Sequence, residues 1–177
     1  MRMTETKTMD WRGWLLLAIA AAVCAGLIAH GPIPQDQAYH GFVDGRDLYG
    51  VPNFWNVISN LPFLAFGAWG WMALTRDRTA TLPMRTAYVV FFFGSMAVAF
   101  GSAYYHLDPS DATLMWDRLP MTVAFMAFFS ALLGRYVRSR LGERALAPLL
   151  LVGVCSVLWW RIVGDLRVYL LVQFLPI

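Results

Sequence analysis

Apolar blocks of about twenty residues divide the chain, and nothing else in the sequence constrains its fold as strongly. A hydrocarbon layer roughly 30 Å thick is crossed by about twenty helical residues rising 1.5 Å each. Backbone inside that layer must satisfy its own hydrogen bonds, which a helix does. Blocks at 12–30, 53–74, 86–106, 113–133 and 146–163 predict five spans, and 166–177 begins a sixth. The expected fold class is therefore all-α: a polytopic membrane helical bundle with five full spans and a partial sixth. Composition agrees, since 59% of residues are hydrophobic and 14% charged, against about 25% charged in soluble domains. The formal charge of +3 comes from Arg and Lys between the blocks, so it reads as topology and not as nucleic-acid binding.

The block Trp14 to Ala29 is too long for the apolar core of a secretory signal. It runs into His30-Gly31-Pro32 in place of a small-residue cleavage site, so a retained helix is expected. Residues 1–30 thus form a tail and first helix, 31–52 an outer loop, and 53–177 the main membrane domain. Pro32, Pro34, Gly41, Gly45, Gly50 and Pro52 keep the loop irregular. Cys24 and Cys155 lie in apolar blocks, without a disulfide framework or a metal-ligand spacing. No internal repeat or low-complexity tract is present. The segment VYLLVQFLPI stops at roughly half the length a span needs, and the expectation is a domain incomplete at its C-terminal end.

Basic residues alternate between links. Arg2, Lys7 and Arg12 precede the first span and Arg46 alone follows it. Arg76, Arg78 and Arg85 follow the second, none follows the third before Arg118, and Arg135, Arg138, Arg140 and Arg144 follow the fourth. The excess of Arg and Lys on cytoplasmic links puts the N-terminus in the cytoplasm and the His106 to Asp117 link on the outer face.

That link belongs to GSAYYHLDPSDATLMWDRLPM, Gly101 to Met121, which carries Ser102, His106, Asp108, Asp111, Asp117 and Arg118 where hydrocarbon is near. Ionisable groups there are costly and point to function by default. Ser102 and His106 are four apart, on one helix face, whereas Tyr104 and Tyr105 between them point elsewhere. Asp108-Pro109 ends the helix, and a tight antiparallel hairpin returns Asp117 beside His106 at similar depth. The plainer alternatives are an interfacial His106, Asp108 and Asp111 as turn residues, and Asp117 pairing with Arg118 or capping a helix start.

The pattern G-S-x-x-Y-H, with D-x-L-P-M eleven residues after the His, resembles the alkaline ceramidases and the wider superfamily that includes the progestin and adipoQ receptors. Asn53 to Phe63, NFWNVISNLPF, resembles the opening of the first helix of their seven-helix core. The resemblance covers Phe42 to Gln173 and leaves the first span as an addition before that core. It implies an integral-membrane, zinc-dependent hydrolase of lipid amides, with ceramide or another sphingolipid amide as substrate. His106 would be a zinc ligand, Ser102 the oxyanion donor and Asp117 the general acid and base. The family's H-x-x-x-H pair has no counterpart, because His30 and His40 lie on the wrong side of the motif. The chain alone is therefore expected to be weak or inactive, and a non-catalytic receptor-like or lipid-binding protein is the alternative, with a structural subunit a third.

The same resemblance implies a calcium site, with Asp44, Asp47 and Asn53 as candidate ligands. Asn53 stands where the family has an acidic residue, the D-W-x-E cluster is absent, and an Asp–Arg pair tying the loop is the alternative. Asn56, Ser59 and Asn60 are expected to bond to neighbouring helices. Trp159, Trp160 and Arg161 read as an interfacial anchor, and Gly164-Asp165 as an outer turn. The topology is testable by thiol labelling: Asp108→Cys, in a chain with Cys24 and Cys155 replaced by Ser, should react with an impermeant reagent from outside intact cells. Reaction only after the cytoplasmic face is exposed would reverse the orientation.

Overall fold

The computed structural model describes residues 11–76 and 82–174. Arg2, Lys7, Arg78 and the end of the last apolar block lie outside them. The helices are α1 Trp11–His30, α2 Phe54–Ile58, α3 Leu61–Arg76, α4 Arg85–Leu107, α5 Asp111–Tyr136, α6 Ser139–Val163 and α7 Arg167–Phe174, with a 3-10 turn at Gln37–His40. Five segments are long and apolar enough to cross a membrane: one within α1, the α2–α3 pair, α4, α5 and α6. The expected all-α bundle is present, with α7 as the partial sixth segment.

Helices α3, α4, α5 and α6 pack each on the next, and α7 lies against α6 and α5. Helix α1 stands apart, with no residue of its apolar window buried and α7 as its chief neighbour. This suits a span added outside a core that closes without it.

The second span is not one continuous helix. Pro62 has no N–H to give the Ile58 carbonyl, and the Asn60 N–H turns back to the Val57 carbonyl at 3.2 Å. Asn60 Nδ2 then donates to the carbonyls of Asn56 at 2.9 Å and Val57 at 3.3 Å, and Ser59 Oγ to Asn56 at 2.8 Å. The expectation that these side chains reach neighbouring helices is therefore corrected. They satisfy carbonyls that the helix break releases, while Asn56 Nδ2 donates to the loop carbonyl of Asp44.

The α4–α5 hairpin is tied at its turn. The Ser110 hydroxyl accepts from the Thr113 N–H at 3.3 Å, and the Thr113 hydroxyl accepts from the Ser110 N–H at 3.1 Å, a reciprocal cap that starts α5 after Pro109. Thr113 Oγ1 also donates to the Asp108 carbonyl at 2.6 Å, holding the end of α4 to the start of α5. The cap here is Ser110, so Asp117 does not serve as one.

Inside α5, Pro120 cannot donate to the carbonyl of Trp116, and Gly101 of α4 packs directly against that carbonyl. A Cβ at Gly101 would run into the Trp116 oxygen and come within 3.2 Å of Pro120 Cγ. Backbone in a helix cannot step aside as a flexible side chain can. Gly142 makes a similar approach to Gly134 across α5 and α6, 2.6 Å from its Cα for an added Cβ. Small residues at helix crossings are how membrane helices gain van der Waals contact when apolar burial between them is worth little.

Tyr105, Leu114, Val157, Trp160, Leu166 and Tyr169 form the largest buried cluster, joining α4 to α7. Trp160 is 3% exposed and belongs to that core, while Trp159 stays at the surface, so only one of the two tryptophans suits the expected anchor. Helix geometry explains this, because consecutive residues point about 100° apart. Gly101→Ala should lower unfolding stability by about 1–3 kcal/mol, the usual cost of overpacking. Gly26→Ala, with nothing within 4 Å, should be close to neutral. Thermal unfolding in detergent compares the two, and equal effects would refute the contact.

Candidate functional site

Ser102, His106 and Asp117 line one cavity of about 490 Å³. Two come from successive turns of α4 and the third from the second turn of α5. The hairpin geometry expected from the sequence thus brings together all three proposed catalytic and metal-site residues. The remaining lining is mainly apolar, with Phe63, Phe66, Phe91, Met121 and Phe125, and adds Asn60 and Ser95 as polar residues.

Ser102 is 7% exposed and Asp117 9%, so neither is a surface residue. His106 Nδ1 is buried and has no hydrogen-bond partner among the described residues. Most buried polar atoms are paired, so a buried imidazole nitrogen without a partner beside the cavity is an exception.

One nitrogen ligand does not make a zinc centre. Among the described residues no group of three or more His, Cys, Asp and Glu is gathered around a common point, whereas catalytic zinc takes three protein ligands. His106 fits such a metal as one ligand, and the set of donors present does not complete the site.

The candidate calcium ligands are drawn elsewhere. Asp44 accepts from Arg46 Nε and Nη2, both at 2.7 Å, which is the loop-tying pair of the alternative reading. The Arg46 side chain beside it holds the Asp44 carboxyl below the ordinary range. Asn53 sits in the left-handed region at φ 49°, which Asn tolerates, and its Nδ2 donates to the His106 carbonyl at 2.9 Å. That bond fastens the start of α2 to the end of α4, next to the cavity. Asp47 is exposed.

Several residues that spacing left aside hold the outer loop over the site. His40 Nε2 donates to Asp111 at 3.0 Å, since a carboxylate only accepts, and its Nδ1 takes the Tyr105 hydroxyl at 3.0 Å. Asp111 also accepts from Gln37 at 3.1 Å. Asp111 is therefore more than a turn residue, and Tyr105, though pointing away from the cavity, ties α4 to the loop. Arg118 is 6% exposed and turns away from the pairing with Asp117 weighed for it. Its Nη2 donates to Gln35 at 2.7 Å and its guanidinium lies 4.2 Å from the Trp160 ring centroid and 4.7 Å from that of Tyr169. Rings stabilise a desolvated cation through their negative faces. Nothing in the sequence spacing links residues 35, 40, 111 and 118, because the loop's path decides it.

Asp165 closes the loop from the other side. It pairs with Arg167 at 2.8 Å and accepts the Ile33 N–H at 3.1 Å, and it does not line the cavity. The side-chain hydrogen bonds of Arg167 hold its carboxyl at about 2, despite the opposing effect of burial. The folded value lies below the ordinary value of about 3.9, so this contribution to stability is complete above that pH and is lost as pH falls through about 2. Asp165→Asn should remove the acid-dependent loss of stability between about pH 4 and pH 2, followed by tryptophan fluorescence. An unchanged acid limb would refute the assignment.

Helices long and apolar enough to cross a membrane thus hold a serine, a histidine and an aspartate around one mainly apolar cavity. The family model described as Ceramidase matches residues 49–175, and the chain belongs to that family. No curated protein and no solved structure matches it significantly.

Proposed function

We propose that the chain carries the site of a ceramidase-like hydrolase of lipid amides, with Ser102, His106 and Asp117 as its working residues. The observation that carries this reading is their convergence in one apolar cavity, with the His106 nitrogen left unpaired. Family membership supports the reaction class.

The roles follow from the chemistry of each group. A lipid amide lays its acyl chain along Phe63, Phe66, Phe91 and Phe125 and presents its carbonyl at the polar end. Ser102 donates to the carbonyl oxygen as negative charge develops there, which one preorganised donor accelerates by about 10²–10³. Asp117 takes the proton of the attacking water and returns one to the departing amine nitrogen, work worth about 10²–10⁴. His106 would hold zinc as one of its ligands. A zinc ion supplies Lewis acidity and an activated water when its ligand set is complete, and with the set incomplete no step is assigned through it. In the proposed orientation the N-terminus is cytoplasmic and the cavity opens towards the outer half of the membrane.

Hydrolysis of a short-chain N-acyl sphingoid amide by the purified protein, with and without added zinc, tests the reading. Asp117→Asn should lower kcat by at least about 10², Ser102→Ala by a comparable factor, and His106→Ala should lower any zinc that the wild-type protein retains, read by metal analysis. Full activity in Asp117→Asn would overturn the assignment. The incomplete donor set favours a second reading, lipid binding without turnover. Zinc-independent binding of the amide by a chain that never cleaves it would select that reading.

A further inference from the structure

We propose that Asn60 is the residue through which the cavity recognises the N–H of its lipid, its side-chain oxygen accepting from the amide nitrogen and so selecting an N-acyl over an O-acyl chain. The inference rests on the lipid-amide reading of the same cavity and adds a specificity determinant to it.

The orientation of the Asn60 side chain is set by chemistry. Its Nδ2 meets two backbone carbonyls, Asn56 at 2.9 Å and Val57 at 3.3 Å. Carbonyls only accept, so the amide nitrogen faces them and Oδ1 faces the opposite way. Asn60 is 5% exposed and lines the cavity. No hydrogen bond among the described residues reaches Oδ1. The buried atoms sealed off without a partner are His106 Nδ1 and Arg118 Nη1, so Oδ1 is not one of them. It is an acceptor that opens on the cavity.

The other polar groups there have their own tasks. Ser95 Oγ donates to the Phe91 carbonyl at 2.9 Å, and Ser102 is the donor assigned to the lipid carbonyl. An amide brings one acceptor and one donor into this apolar space. The carbonyl has Ser102, and the N–H, stripped of water, needs a neutral acceptor that is not itself exchanging protons. Asn60 Oδ1 meets that description. An ester of the same length has no N–H, leaves Oδ1 unpaired and is rejected for that reason, as sites built to bond a donor reject analogues lacking it.

The test is a binding series on the purified full chain in detergent, by displacement of a fluorescent lipid. The probes are an N-octanoyl amino alcohol, its N-methyl amide and the corresponding O-octanoyl ester. Wild type should bind the N–H amide about five- to tenfold more tightly than either analogue, the size of one net hydrogen bond. Asn60→Ala should bind all three alike, and Asn60→Leu, which keeps the side-chain volume without the acceptor, should do the same. Loss of packing alone would weaken all three equally and leave the ratio intact, so a folded Asn60→Ala that keeps the wild-type ratio overturns the proposal. Wild type that binds all three equally overturns it while leaving the cavity's lipid binding standing. Wild type that binds none removes the lipid-amide reading and this inference together. Should Asn60→Ala not fold, the wild-type series and Asn60→Leu decide the matter.

Discussion

The approach of α4 to α5 at Gly101 is the constraint on which the rest depends. Pro120 leaves the Trp116 carbonyl without its helical donor, and the absence of a side chain at Gly101 lets the neighbouring helix lie directly on it. One residue beyond Gly101 is Ser102, and one beyond Trp116 is Asp117. The contact therefore brings Ser102 and Asp117 to the wall of one cavity. The Ser110–Thr113 cap sets the start of α5 and with it the register of the pairing. A shift of one residue along either helix would turn Ser102 or Asp117 about 100° away from the cavity.

Around this seam the molecule separates two polar systems that are adjacent in sequence. Asp117 faces inward to Ser102 and His106, and Arg118, the next residue, faces outward into the rings of Trp160 and Tyr169. Keeping the guanidinium out of the cavity leaves Asp117 without an ion-pair partner among the described residues, which suits the proton transfer proposed for it. The outer loop is held over the same end by His40, Asp111, Gln35 and the Ile33–Asp165 bond. These are mostly neutral-to-charged hydrogen bonds, stronger than exposed ion pairs such as Asp44–Arg46.

The break at Asn60 joins the second span to this arrangement. The turned-back Asn60 N–H leaves the Asn56 carbonyl without its helical donor, which is expensive in hydrocarbon, and the Asn60 side-chain nitrogen satisfies it. The same repair leaves the side-chain oxygen directed at the cavity. A structural necessity and a recognition group are thus two ends of one amide, which is why its spacing alone reads as helix glue.

What could be read from the residues is what depends on local periodicity and covalent geometry. Span number follows from apolar block length, the hairpin turn from Asp108-Pro109-Ser110, and the shared face of Ser102 and His106 from their separation by four. The meeting of Asp117 with them needed only a short antiparallel link, so it too was legible. Tertiary structure decided what depends on the path of a long irregular loop and on rotation about helix axes: His40 on Asp111, Arg118 among aromatic rings, Trp160 in the core and Asn60 on the cavity. Such partners lie tens of residues apart, and no spacing rule encodes them, because a hydrogen bond or a ring contact is satisfied by whichever group packing brings within reach.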